Sequence, residues 1–360
     1  MNSSIKLSDF DYDLPKNLIA IYPPALRGTT RLLVLDRKNQ KIFHKNYSDF
    51  VDFLSEGDVV VLNKTKVIYA RIFAENEFGG KVEIFYQNMK VSENPDPNRF
   101  RFFALLGGKV SYKNFSSNVE KTFSNLRVQN FEFKILKQVE SSLFELEFSG
   151  SKDEFFDLMK KEGHVPIPKY LKREDLEIDK ERYQTVFAKI SGSVAAPTAS
   201  INITDEILEK LKKKKVKIVY VNLVVGWDTF KPIEEENILD HNMHSEEIEI
   251  TKETAEIINN AKKENRKILG VGTTVMRVLE SSSDENGILK EFFGTTKIFI
   301  FPPYKFKVAN MMITNFHAPR TTVLIMASAF AGREFLLSAY EVAKKENYKF
   351  LSYGDSCLIL

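Results

Sequence analysis

Four stretches of the 360-residue chain carry residue types able to do chemistry. The first is Gly270-Val271-Gly272-Thr273-Thr274, placed where a strand should give way to a helix. Unpaired N–H groups and the helix dipole favour an anion at such a start, and glycine lets that anion come close. The lysine of a P-loop is missing and the spacing is not that of a dinucleotide fingerprint, so the stretch is either a helix-start ligand site or a tight strand-to-helix turn. The second is His241-Asn242-Met243-His244-Ser245-Glu246-Glu247. Histidines three apart could share a metal on a helix face, with a carboxylate as third ligand. This pair instead precedes the strand-like Ile248 to Ile250, which favours a proton-transferring or substrate-contacting imidazole, or plain loop histidines, over a metal site. No metal is expected. The third is Thr314 to Thr322, in which His317 follows a strand end, Pro319 stiffens a turn and a threonine can cap the next helix. Strand C-terminal ends are where α/β sheets bind ligands, although an ordinary capped turn has the same composition.

The fourth stretch is Glu181 to Ala188 followed by Ser193 to Ala199, small and nearly uncharged, where Tyr183 could stack a base. Before it, Gly163-His164-Val165-Pro166-Ile167-Pro168 reads as a stiff extended connector. Lys169, Lys172 and Arg173 beside it are better placed for backbone phosphates than the lysine run Lys212 to Lys215, which closes a helix and offsets its dipole.

The elements that must position these groups fall into zones. From Asp58 to about Gly150, short strands rich in β-branched and aromatic residues follow one another without helices, which points to a small barrel or sandwich. Ser151 and Glu154 have the spacing of a capping box and predict a helix through Lys161. Beyond the connector the rhythm alternates: helix at Thr204 to Lys215, strand at Val216 to Val225, helix at Thr251 to Asn265 and strand at Lys267 to Val271. A helix follows at Thr273 to Ser281, strands at Lys297 to Phe301 and Met311 to Thr314, and a helix at Thr321 to Tyr340 broken at Gly332. This predicts a larger mixed α/β domain, residues 1–60 and 160–360, interrupted by an inserted β-barrel at 61–159.

Composition excludes several classes. One cysteine, Cys357, rules out an internal disulfide and a cysteine-based zinc knuckle. The balance of 52 basic against 49 acidic residues, +3 overall, neither announces nor excludes a nucleic-acid partner. The N-terminus carries Asp9, Asp11 and Asp13 and has no apolar run, unlike a signal peptide. Val323 to Ala331 is well short of the roughly 20 apolar residues a spanning helix needs. A cytoplasmic protein with no membrane association is expected.

Taken in order, FDYDLPKNLIAIYP, RLLVLDR, GDVVVLNKTKVIYAR, GGKVEIF, ERYQTVFA, GSVAAPTA, HNMHSE, GVGTTVMRVLES, TNFHAPR, SAFAGRE and YGDSCLI resemble the S-adenosylmethionine:tRNA ribosyltransferase-isomerases of queuosine synthesis. The resemblance runs from about Phe10 to Ile359. It implies an α/β domain interrupted by a β-barrel, and a reaction that moves the ribosyl part of S-adenosylmethionine onto 7-aminomethyl-7-deazaguanine at the wobble position of tRNA. The ribose rearranges to give epoxyqueuosine while adenine and methionine leave. The implied partners are that tRNA and S-adenosylmethionine, the latter as substrate, with no further cofactor and no metal; a monomer is slightly favoured, though the sequence does not give the oligomeric state.

The implied chemistry needs a base at the carbon next to the sulfonium, assistance to the departing adenine and donors for the methionine carboxylate. His241, His244 and His317 are the acid–base candidates, with Glu247 or Glu246 orienting an imidazole. Gly272, Thr273, Thr274 and Arg277 are candidate carboxylate donors, and Tyr183, Gln184 and Thr198 candidate substrate contacts. Where the family usually reads GLHFT, this chain has Ser200-Ile201-Asn202-Ile203-Thr204. Where it reads HVGAGTF, Val224-Val225-Gly226-Trp227-Asp228-Thr229-Phe230 stands, making Trp227 and Asp228 candidate altered contacts. NDTRVIPAR has become Asn63-Lys64-Thr65-Lys66-Val67-Ile68-Tyr69-Ala70-Arg71. The readings are therefore an active family enzyme, a member with a changed acceptor, and a tRNA- or nucleotide-binding relative without catalysis.

Overall fold

A strand buried on both faces is an unbroken apolar run, and such runs form the middle of one large sheet. The computed structural model describes residues 5–89, 96–108, 125–140, 142–226 and 233–360. The chain lays down β1 (Arg31–Asp36) and β2 (Lys41–Asn46) as an antiparallel pair, then sets β3 (Val59–Asn63), wholly buried, at the sheet's centre. After β4 (Thr65–Val67) it leaves to make a closed barrel from β5 (Arg71–Asn76), β6 (Lys81–Gln87), β7 (Phe100–Gly108), β8 (Asn125–Val128), β9 (Phe131–Glu140) and β10 (Leu143–Phe148). Helix α1 (Lys152–Glu162) ends the excursion. Return is by α2 (Glu177–Arg182) and β11 (Ile190–Ser193), which pairs parallel with β4.

From there α3 (Asp205–Lys213), β12 (Lys217–Leu223), β13 (Glu246–Ile250), α4 (Lys252–Lys263), β14 (Ile268–Val271) and α5 (Thr273–Ser281) follow. The chain finishes with β15 (Phe292–Thr296), β16 (Met311–Asn315), α6 (Thr322–Ala331), α7 (Arg333–Lys345) and β17 (Ser356–Ile359). The nine strands lie in the order β15-β13-β12-β3-β14-β16-β17-β1-β2, with β12, β3, β14 and β16 parallel neighbours. From β3 the next parallel strand, β12, lies on one side and β14 on the other. Connections that diverge in this way open a crevice at the strands' C-terminal ends.

The fold class is the one the sequence predicts, a mixed α/β domain carrying an inserted barrel. The inserted unit starts later than residue 61, because Val61 to Asn63 belong to β3 in the sheet, and it includes α1. Phe155, Leu158 and Met159 of that helix are buried in the barrel core, Phe155 against Phe102 at 4.6 Å between ring centroids. Its start is the expected capping box: Glu154 N–H donates to Ser151 Oγ at 3.3 Å, and Ser151 N–H to Glu154 Oε2 at 2.7 Å. The strand expected at Lys297 to Phe301 is irregular; the strand there is β15, just before it. Gly332, at φ +88°, breaks the apolar helix as expected, and α6 and α7 meet at 110°. Among the described residues no single helix is long and apolar enough to cross a membrane. The lysine run is used locally: Lys214 Nζ donates to the carbonyls of Val51 and Leu54, and Lys212 and Lys215 pair with Glu209 and Glu56.

One side chain ties these parts together where β3 ends. Asn63, fully buried, accepts from the N–H groups of Leu223 (3.1 Å) and Thr65 (3.2 Å) and donates to the Leu223 carbonyl (3.1 Å) and Thr274 Oγ1 (3.2 Å). It thereby joins β12, β4 and the start of α5. Buried polar groups left without partners are costly. Asn63→Ala should destabilise the protein by about 3 kcal/mol, on the order of two orphaned groups, measurable as a lower urea midpoint; an unchanged midpoint would remove Asn63 from this role.

Candidate functional site

The crevice is a cleft of about 560 Å³ with three walls. The sheet supplies the first. At Gly272, φ is +97°, a conformation glycine accepts readily, and its N–H donates to the Ile313 carbonyl at 2.7 Å. That turn starts α5 at Thr273 and Thr274, both on the cleft, so the positive end of a helix faces it. Beside it Thr198 Oγ1 donates to Asn315 Oδ1 at 2.8 Å. His317 follows the end of β16, with Nε2 2.7 Å from Thr314 Oγ1. Its backbone is held at both ends, since its N–H donates to Tyr340 Oη at 3.1 Å and its carbonyl accepts from Tyr12 Oη. Burial pushes this imidazole down to about 3, so it is neutral at ordinary pH.

The proline connector makes the second wall, with Pro166, Ile167, Pro168, Lys169, Tyr170 and Arg173. Arg173 grips Asp179 through two bonds of 2.6 and 2.9 Å. Burial works against the Asp179 carboxylate, yet bonds from Arg173, Tyr353 and the Leu176 N–H hold it below its usual range. The third wall comes from the barrel: Arg71, Glu83 and Phe85, with Arg71 Nε 2.5 Å from Glu83 Oε1.

A side cavity of about 70 Å³ adjoins the cleft, sharing Thr273, Thr274 and Val323 with it. His241 lines it, its Nδ1 3.0 Å from Glu235 Oε2 and its ring edge-on to Phe299 at 5.4 Å. The exposed His244 and the buried Arg277 line it too. Arg277 Nη1 donates to Glu246 Oε2, and Glu246 Oε1 accepts from the Gly226 N–H at 3.3 Å. The Nε and Nη2 of Arg277 have no hydrogen-bond partner among the described residues, and burial draws its pKa down to about 10. A buried guanidinium with an open edge suits a carboxylate. No group of three His, Cys, Asp or Glu among the described residues could hold a metal ion.

Of the residues singled out by sequence, the cleft gathers Thr198, Gly272, Thr273, Thr274, His317, Lys169 and Arg173, and the side cavity His241, His244 and Arg277. Others stand apart. Tyr183 is 1% exposed and packs edge-on against Tyr353 in the core, so it offers no stacking face. Gln184 bolts the chain to β4 through both the N–H and the carbonyl of Val67. Arg173 has its guanidinium engaged by Asp179 and the carbonyls of Ile21 and Glu174, and Lys172 is exposed off the cleft lining. The carboxylate facing the side cavity is Glu246; Glu247 lies on the other face of β13, and the imidazole of His241 is held by Glu235. Asn202 is buried away from the cleft, and Trp227 and Asp228 lie outside the described residues. Sequence reading passed over Arg71, Glu83 and Phe85, whose signal was the alternation along β5 and β6, and Glu235, which nothing in the sequence marked.

Four likenesses bear on this arrangement. A family described as queuosine biosynthesis protein matches residues 7–359. An S-adenosylmethionine:tRNA ribosyltransferase-isomerase of Aquifex aeolicus is 42% identical over 356 residues, 99% of this chain and 100% of that protein. Its counterpart from a Sulfurihydrogenibium species is 44% identical over 361 residues, again 99% and 100%. The crystal structure of S-adenosylmethionine tRNA ribosyltransferase from Thermotoga maritima is similar with a TM-score of 0.53 and 29% identity, over 98% of this chain and 100% of that one.

The low pKa of His317 has a consequence for stability. In the unfolded chain an imidazole titrates near 6.5, so below that pH the unfolded state takes up a proton that the folded state refuses until about 3. The fold should therefore lose stability as pH falls from about 6.5 towards 3, and gain none from this group above 6.5. His317→Gln removes the effect. Its melting temperature should fall less steeply than the parent's between about pH 6.5 and 4; parallel profiles would show that His317 is not the group responsible.

Proposed function

The chain belongs to the queuosine biosynthesis protein family, and from that premise we propose that its cleft transfers and isomerises the ribosyl moiety of S-adenosylmethionine onto 7-aminomethyl-7-deazaguanine at the tRNA wobble position. The products are epoxyqueuosine in tRNA, adenine and methionine. The protein is a transferase that acts on tRNA, with S-adenosylmethionine as a consumed substrate. The observation that carries the reading is the cleft itself, a space of about 560 Å³ between the start of α5 and the barrel. On this reading no metal or further cofactor takes part, and the enzyme works in the cytoplasm, without a membrane, as a monomer.

The geometry supports the following roles. The helix start at Gly272-Thr273-Thr274 and the open edge of Arg277 receive the methionine end, where the carboxylate needs donors. The sulfonium acidifies the neighbouring carbon, so a modest base suffices there. His241 suits that task, because Glu235 fixes its Nδ1 and so presents Nε2 for the proton. His244 stands at the rim of the same cavity as the second proton carrier. His317 holds its proton too weakly to act as a strong base, and its neutral ring serves as a hydrogen-bonding partner for the departing adenine, with Thr198 beside it. Lys169 at the connector meets the RNA backbone.

Incubation with S-adenosylmethionine and tRNA carrying 7-aminomethyl-7-deazaguanine should release adenine in step with epoxyqueuosine, detected by mass spectrometry of digested tRNA. Folded protein that binds the tRNA and yields neither would overturn the reading. Within it, His241→Ala should lower turnover about 100-fold or more, the usual range for a lost acid–base group, with the melting temperature little changed. Full activity in His241→Ala, His244→Ala and His317→Ala would sink the assignment of these histidines.

A further inference from the structure

The barrel contributes a charged pair to the cleft for which ribosyl transfer alone provides no use. Along β5 and β6 the side chains alternate: Ile72, Ala74, Val82 and Ile84 fill the barrel core, which places Arg71, Phe73, Glu83 and Phe85 on the opposite face. In register Arg71 lies across from Phe85 and Phe73 across from Glu83, so Arg71 and Glu83 are diagonal neighbours, joined at 2.5 Å through Nε and Oε1. Both remain partly exposed, at 18% and 23%, on the cleft's barrel wall. On the other flank Glu83 sits opposite Gly107 of β7, where a β-carbon would come within 2.9 Å of Glu83 Oε2. Glycine at that position leaves the carboxylate room to lie as it does. Among the described residues, Glu83 Oε2 and the terminal nitrogens of Arg71 have no other hydrogen-bond partner, so acceptor and donor stand side by side, open to the cleft.

We infer that this pair reads the edge of the acceptor base. A deazaguanine ring presents two donors, N1–H and the exocyclic amine, next to one acceptor, O6. Glu83 accepts from both donors, and Arg71, while steadying that carboxylate, donates to O6. The alternatives match less well. A phosphate or the methionine carboxylate would be repelled by Glu83, and the adenine of S-adenosylmethionine offers a single donor group beside its acceptor, leaving one carboxylate oxygen unused. The assignment rests on the ribosyl-transfer reading above and gives it a division of labour, with the sheet holding the sulfonium substrate and the barrel the base.

The test uses two anticodon stem-loop RNAs, one carrying 7-aminomethyl-7-deazaguanine and one carrying 7-aminomethyl-7-deazahypoxanthine, which lacks the exocyclic amine. The unmodified enzyme should lose about tenfold or more in kcat/KM on the second RNA, as a site built around a hydrogen bond does when the partner is missing. Glu83→Gln should be slow on both RNAs to a similar degree, with the discrimination gone and the KM for S-adenosylmethionine within about twofold of the parent. Gly107→Ala, which crowds Glu83 without touching the cleft's chemistry, should lose discrimination in the same way and serves if Glu83→Gln does not fold. Retained discrimination in the folded variants, or a rise in KM for S-adenosylmethionine with RNA kinetics untouched, overturns the base assignment alone. No adenine from the unmodified enzyme with the first RNA overturns the reaction reading and the assignment together.

Discussion

Asn63 stands at the C-terminal end of the central strand, where the chain is about to leave the sheet for the barrel. Its carboxamide holds the backbone of the neighbouring strand at Leu223, the first turn of the excursion at Thr65 and the hydroxyl of Thr274 at the start of α5. A buried amide has two donors and one acceptor oxygen to satisfy, and here the oxygen serves Leu223 and Thr65 while the donors serve Leu223 and Thr274. That one residue ties the start of α5 to the strand end from which the chain enters the barrel. Thr65 extends the linkage, its Oγ1 lying 2.6 Å from Ser193 Oγ, which accepts in turn from the Val225 N–H on the cleft lining. A short chain of buried hydrogen bonds thus runs from the start of α5 to the cleft lining at Val225.

The charge distribution follows from what each wall can desolvate. On the sheet side the helix start and Arg277 make a cationic corner, and Glu246 offsets the cost of burying that guanidinium. Among the described residues the Nε and Nη2 of Arg277 have no partner, an edge that a bound carboxylate would fit. His317 shows the opposite choice: with no carboxylate to support a positive charge, burial keeps the ring neutral. A site meant for a sulfonium gains by having a neutral imidazole near it. The connector wall is stiffened by Pro166 and Pro168 and anchored by the Arg173–Asp179 pair.

Much of the fold was legible because its signals are local. The capping box at Ser151 and Glu154 and the break at Gly332 each depend on residues within a turn of one another. The cleft lining was legible at strand and helix ends, as with Thr273, Thr274 and His317. It was not legible where partners come from distant parts of the chain. Tyr183 looks like a stacking residue until Tyr353, far along the chain, is seen to cover it. Gln184 reads as polar and available, yet the Val67 backbone claims both ends of its amide. Arg71 and Glu83 look like ordinary barrel surface until the barrel is docked against the sheet, and the choice between Glu246 and Glu247 stays open in the sequence because period-2 alternation fixes only relative faces.

The central claim is that one cleft holds the two substrates on opposite walls. A crystal structure with S-adenosylmethionine and an anticodon stem-loop bearing 7-aminomethyl-7-deazaguanine tests it most directly. The account expects the methionine end at the start of α5 beside Arg277, the adenine near His317 and the deazaguanine edge on the barrel wall. S-adenosylmethionine bound away from the C-terminal ends of β3, β14 and β16, or both ligands on one wall, would contradict it.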